Sequence, residues 1–302
     1  MGFLKNLYAI IEPGANLYKI EFIPFYGLSL WFYLASQGSS SCDESTSSSD
    51  CSNSWGNDIF SLWKLNAFIQ LSLFTIVVQI PTFVTGLMTY VDIGWPVGLC
   101  CLAISSLVNG TGFTTRKYIA CITLLIHGLR MALGALILGF PYIWKEDLSR
   151  YQHAKRRFIE TTGSPKLWPM KQQHDTLMQA FANSVILAGP FILMTTNPNP
   201  KVHVVEVIGG ACWFACWILE NIADVQKLIF EKNAKKNNDI KTAVLGWKPY
   251  DTIPYWLWTK CRHPNYFFEW SCWNSFILMS IPSIFDFWND EIRMFYQKLE
   301  SF

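Results

Sequence analysis

The apolar residues of this chain fall in long runs, not in the alternation of a half-buried strand. The clearest run, residues 67–91 (AFIQLSLFTIVVQIPTFVTGLMTYV), holds no charge. A helix needs about 20 apolar residues to cross a bilayer. Residues 119–143, 177–196 and about 204–225 also reach that length, the first with Arg130 inside it. Residues 21–36, 92–108 and 267–288 are shorter or more polar versions of the same pattern. The pattern predicts an all-α polytopic membrane protein of six to seven transmembrane helices, built as one integral-membrane domain over 1–302.

The polar segments between the runs suggest an orientation. Residues 144–175 and 226–248 are rich in Lys and Arg, and short basic loops of this kind face the cytosol. Counting back puts the N-terminus in the cytosol. It puts 109–118, with the sequon Asn109-Gly110-Thr111, in the lumen. Arg116 and Lys117 then fall on the lumenal side, against the rule. The Ser-rich segment 36–56 has low complexity and is expected to be a mobile lumenal loop, with Cys42 and Cys51 as a candidate disulfide. The expected location is the endoplasmic reticulum membrane.

Composition agrees with a membrane protein. Of the 302 residues, 51% are hydrophobic and 15% charged, against about 25% charged in soluble domains. Aromatic residues make up 16%, which suits interfacial belts. A net charge of +2 is too small to imply a nucleic-acid partner. The nine cysteines show neither CxxC nor zinc spacing, so no metal is expected. The first residues lack the long apolar core of a signal peptide, and Asn6 stands where myristoylation wants Ser or Thr.

Ionisable groups inside apolar runs are costly and usually face a partner or a cavity. Arg130 shares a helix face with His127 and Gly134. It suits either a buried ion pair or the anion-facing wall of a pocket. Glu220, Asp224, Lys227 and Glu231 recur as one stripe, which reads as a solvated exit face or part of a site. Asp92 closes the uncharged run, where an acid is often mere punctuation. Cys212 and Cys216 read as small packing residues. Polar groups also gather at the predicted cytosolic ends: Glu146, Asp147 and Arg150; Asp224, Gln226 and Lys227; Arg262, His263, Asn265, Tyr266 and Glu269. Cations and amides at helix ends can hold phosphates. GxGxxG and P-loop motifs are both absent, so a nucleotide would have to enter a cavity between helices. A lipid-headgroup site and a structural network fit the same spacing.

Four stretches, in order, resemble the steroid 5α-reductase-like membrane family. "YVDIGWPVG" is similar to its early element with Asp and Trp, with Pro96 in place of a Gly. "GLRMALGALILGFPYIWKEDLSRY" resembles its Arg-containing helix followed by an acidic pair, an Arg and an aromatic. "LENIADVQKLIFEKN" resembles its Glu, Ala-Asp, Gln-Lys stretch. "YWLWTKCRHPNYFFEW" resembles its RHPNYxGEW signature and the approach to it. The resemblance covers about 85–288, the reductase-like core. It implies an enzyme that holds NADPH in a cytosol-facing cavity and passes hydride to an activated double bond of a lipid or steroid-like substrate. Asn265 and Glu269 would anchor the nicotinamide end. Arg130, Asp147, Arg150, Asp224, Gln226, Lys227 and Arg262 would hold ribose and phosphates, with His263 and Tyr266 lining the pocket. Asp92 and Tyr90, with Glu269, would be the catalytic set.

Phe268 departs from the family's Gly between Tyr and Glu, and the tail after residue 288 is shorter than usual. Two other functions therefore stand beside the reductase. One is a membrane methyltransferase using S-adenosylmethionine, whose family shares RHPxYxG but usually has an apolar residue at the position of Glu269. The other is an inactive member serving as scaffold or lipid binder.

Overall fold

The computed structural model describes residues 2–11, 55–139, 145–239 and 242–300. The predicted segment 21–36, Cys42, Cys51 and the Ser-rich segment up to residue 54 lie outside the described residues. All regular structure among the described residues is helical. In chain order the helices are α1 (Gly2–Ile11), α2 (Trp55–Thr85), α3 (Val91–Asn109), α4 (Thr114–Gly139), α5 (Ser149–Thr162), α6 (Pro165–Thr196), α7 (Val204–Lys236) and α8 (Pro264–Glu300). Among the described residues, five segments, formed by α2, α3, α4, α6 and α7, are long and apolar enough to cross a membrane. Residues 267–288 lie inside α8, which is not among those five.

The run 67–91 is not one span. Its helix begins twelve residues earlier, at Trp55, and ends at Thr85. Gly86 breaks it in a left-handed conformation (φ 74°), its N–H bonding the carbonyl of Thr82. Residues 88–90 form a single 3-10 turn, and α3 starts at Val91. Periodicity could not show this break, because Gly86 is as uncharged as its neighbours. The basic segment 144–175 is not a loop either: it holds α5 and the first part of α6.

The chain divides into two compact units, Met1–Pro200 with Arg293–Phe302, and Lys201–Ile292. In the first unit, two prolines shape the spans. Pro81 and Pro190 each lack the N–H that the carbonyl four residues earlier needs, and a π-turn precedes each: Thr75–Gln79 in α2 and Ala182–Ile186 in α6. The second π-turn is held by side chains. Asn66 Nδ2 donates to the carbonyls of Asn183 and Ser184, each at 3.4 Å. Gln70 Nε2 donates to Asn66 Oδ1 at 3.1 Å and to the Gly98 carbonyl at 2.8 Å. Asn183 Nδ2 donates to the Trp95 carbonyl at 3.0 Å. Such polar clasps replace backbone bonds where no water enters.

Gly94 and Gly98 let α3 approach α2, as small residues four apart do between membrane helices. A Cβ on Gly98 would lie 2.4 Å from Gln70 Oε1 and 2.5 Å from Asn183 Nδ2. Both amides are committed to the clasp and cannot swing away without breaking it. Gly98→Ala should therefore cost about 1–3 kcal/mol by overpacking, while Gly134→Ala, which meets open space, should be neutral or stabilising. Thermal unfolding of the two variants checks this.

Arg116 and Lys117, which ran against the charge rule, are absorbed by backbone. Buried Arg116 donates to the carbonyls of Asn199 (2.7 Å) and Asn197 (3.4 Å). Lys117 Nζ donates to the Gly110 carbonyl at 2.8 Å. At the same end, Thr111 Oγ1 donates to Asp58 Oδ2 at 2.7 Å.

Candidate cofactor site

Among the described residues, the sequence motifs form two polar constellations, one in each unit. In the first unit, the start of α3 meets the stretch leading into α5. Thr89 donates to Asp147 Oδ1 twice, from its N–H at 3.0 Å and its hydroxyl at 2.9 Å. A carboxylate suits this end of a helix, where amides point outward. Asp92 Oδ1 accepts from Arg150 Nη2 and from the Tyr151 hydroxyl, the latter at 3.1 Å. Asp92 Oδ2 is buried and makes no hydrogen bond among the described residues. Burial raises the Tyr151 phenol well above the usual range, and the Asp92 carboxylate adds to the rise against the opposing pull of Arg150.

The motifs around Asp92 and around Asp147 and Arg150 are thus joined residue to residue. Thr89 and Tyr151 complete the join and were not singled out in the sequence. The signal was present, since Tyr151 is the aromatic that follows Arg150 in the second of the four resembling stretches. Tyr90 turns into the apolar cluster with Phe74, Val78, Met88 and Trp168. Arg130 is half-buried on α4, one turn beyond buried His127.

In the second unit, the chain leaves α7 and folds back along it. Asn237 Nδ2 donates to the Tyr250 hydroxyl (3.1 Å) and Asn233 Nδ2 to the Tyr255 hydroxyl (2.9 Å). Leu257 N–H donates to Gln226 Oε1 at 3.3 Å, and Trp258 Nε1 to the Ala223 carbonyl at 2.9 Å. Asn265 Nδ2 donates to Asp224 Oδ1 at 3.1 Å. Edge-on packing of Phe230, Tyr250 and Tyr255 fills the inside of the return. The Tyr250 hydroxyl donates to Asp239, with its oxygens at 3.0 and 3.1 Å. Desolvation raises this phenol, and the Asp239 carboxylate adds to the rise while Asn237 opposes it.

The "ADVQ" stretch is therefore fastened at Ala223 and Gln226 to Trp258 and Leu257, on the approach to "RHPN", and at Asp224 to Asn265 of "RHPN" itself. Around the join, Val244–Trp247 and Trp258–His263 line a cavity of about 850 Å³. Small-molecule sites usually measure about 300–1,000 Å³. Lys227, Lys260, Arg262, His263 and Tyr266 are exposed, and Glu269 is half-buried. The His263 ring stacks on Tyr266 at 5.5 Å and meets Trp258 edge-on at 6.4 Å. Asn265 Oδ1 is buried with no hydrogen bond among the described residues. The Phe268 ring packs edge-on against Phe267 at 5.2 Å.

The fold defines a polytopic helical membrane protein in which, among the described residues, the sequence motifs join into two polar clusters. A family model described as a protein of unknown function, DUF1295, matches residues 78–289, and the chain belongs to that family. The family is associated with steroid 5α-reductase-like membrane proteins. No curated protein and no solved structure matches the chain.

Proposed function

We propose that the chain is an NADPH-dependent reductase of an activated carbon–carbon double bond in a lipid or steroid-like substrate. The observation that carries this reading is the fastening of the RHPN turn and its approach onto α7, Asn265 through Asp224 and Leu257 through Gln226. It leaves a cavity lined by Trp247, Trp258, Lys260, Arg262 and His263. These residues fit a phosphorylated dinucleotide. Cationic groups complement phosphates by charge-assisted hydrogen bonds, and the indole and imidazole faces suit a base. The buried Asn265 Oδ1 fits a carboxamide N–H. A sulfonium cofactor carries positive charge at its reacting centre and suits such a cationic wall less well.

NADPH would supply the hydride. Lys260 and Arg262 would balance its phosphates, and Asn265 and Glu269 would orient its nicotinamide end. On the substrate side, Asp92 would hold a proton at Oδ2 and donate a hydrogen bond to a carbonyl oxygen as enolate charge builds, an oxyanion-type stabilisation. Oδ1 would stay fixed by Arg150 and Tyr151. Titration of the protein in lipid nanodiscs with NADPH and, separately, with S-adenosylmethionine tests the reading. Saturable NADPH binding between about 1 μM and 1 mM is expected. Saturation by S-adenosylmethionine alone would replace it with the methyltransferase, and saturation by neither would favour the inactive scaffold.

A further inference from the structure

Large apolar side chains are expected to be exposed on membrane helices, but the return segment between α7 and α8 exposes them too. Val244 is 56% exposed, Trp247 71%, Ile253 88% and Trp256 46%. This is not looseness, because the segment is tied to α7 by Tyr250, Tyr255, Leu257 and Trp258. An apolar patch on an ordered surface marks a contact.

The ties also say where the patch lies along α7. Its 33 residues extend about 50 Å at 1.5 Å per residue, well beyond a hydrocarbon core of about 30 Å. Polar side chains become frequent from Asp224 onward: Gln226, Lys227, Glu231, Lys232, Lys235 and Lys236. The return segment bonds first to Asn237, then Asn233, then Gln226 and Ala223. It therefore descends α7 from its far end to the edge of the apolar run. Gly246 is pressed against Trp258, where an added Cβ would lie 2.3 Å from the carbonyl oxygen. That contact places Trp247 next to the level of Trp258, which bonds to Ala223 at the edge of the apolar run. Tryptophan favours this level of a bilayer because its ring is apolar and its N–H is not. Exposed Lys248 beside Trp247 suits lipid phosphates.

We infer that the segment Val244–Trp256 docks on the bilayer surface, with Trp247 and Trp256 at the boundary of headgroups and acyl chains and the phospholipids themselves as the occupant. This inference does not depend on the nucleotide reading. Its test places a benzophenone amino acid at Trp247, at Trp256 or, as a control, at exposed Lys236 near the far end of α7. The full chain is irradiated in phosphatidylcholine nanodiscs and adducts are identified by mass spectrometry. Lipid adducts at Trp247 and Trp256 are expected at least tenfold above Lys236. Trp256, next to the Leu257 tie to Gln226, decides the matter if the Trp247 variant does not fold. Equal yields at Trp256 and Lys236, or adducts to a second protein chain, would overturn the inference.

Discussion

Gly246→Ala is expected to weaken NADPH binding at least tenfold. Gly246 has φ 86°, and its Cβ would lie 2.3 Å from the Trp258 carbonyl oxygen and 2.8 Å from its carbonyl carbon. Neither is the end of a flexible side chain. Trp258 is itself pinned by its indole N–H to the Ala223 carbonyl, so the two walls of the cavity would have to part. Gly86→Ala is the matched control. It has φ 74° but nothing within 4 Å of an added Cβ. It carries the left-handed strain, about 1 kcal/mol, without the clash. Gly86→Ala should lower the melting temperature slightly and leave NADPH affinity within about twofold, given that 1.4 kcal/mol is tenfold. Wild-type affinity in Gly246→Ala would remove the nucleotide from this cavity.

Asp92→Leu is expected to lower turnover at least 100-fold while changing stability little. Arg150, the cation facing Asp92, is 53% exposed, and such pairs contribute about 0–1 kcal/mol. The bond from Tyr151 adds about 1 kcal/mol. Removing one donor that meets a developing oxyanion costs about 100- to 1,000-fold in rate. Activity should therefore fall far more than the melting temperature. Asp92→Asn should be intermediate, because it keeps Oδ1 for Arg150 and Tyr151 and can still donate from the other position. The measurement is NADPH consumption with a panel of lipid enones, beside thermal unfolding of each variant. An Asp92→Leu protein with unchanged turnover would leave Asp92 a structural group.

Much of the fold was legible because burial in lipid demands long apolar runs. Residues 177–196, 204–225 and 92–108 each fall within a helix found in the structure. The boundaries were less legible, since hydropathy averages over the residues that break helices. Gly86 sits inside an uncharged run and ends α2, whereas Asp58 and Lys64 lie inside α2 although they look like loop residues. The candidate site was legible as a set of motifs but not as contacts. Spacing put Asp224 and Asn265 on separate segments, and only the return of the chain along α7 lets one donate to the other. Thr89 escaped notice because an uncharged hydroxyl carries no signal in a sequence until a carboxylate such as Asp147 is seen against it.

The sequence by itself determined the helical membrane class, because hydrocarbon leaves backbone polar groups few other ways to be satisfied and apolar length records that demand directly. It also determined which residue types could carry chemistry, through four motifs in order. The tertiary structure decided how they pair: Asp92 with Arg150 and Tyr151, Thr89 with Asp147, Asn265 with Asp224. Such pairings rest on side-chain geometry between segments tens of residues apart, and one sequence holds no local trace of a distance set by packing.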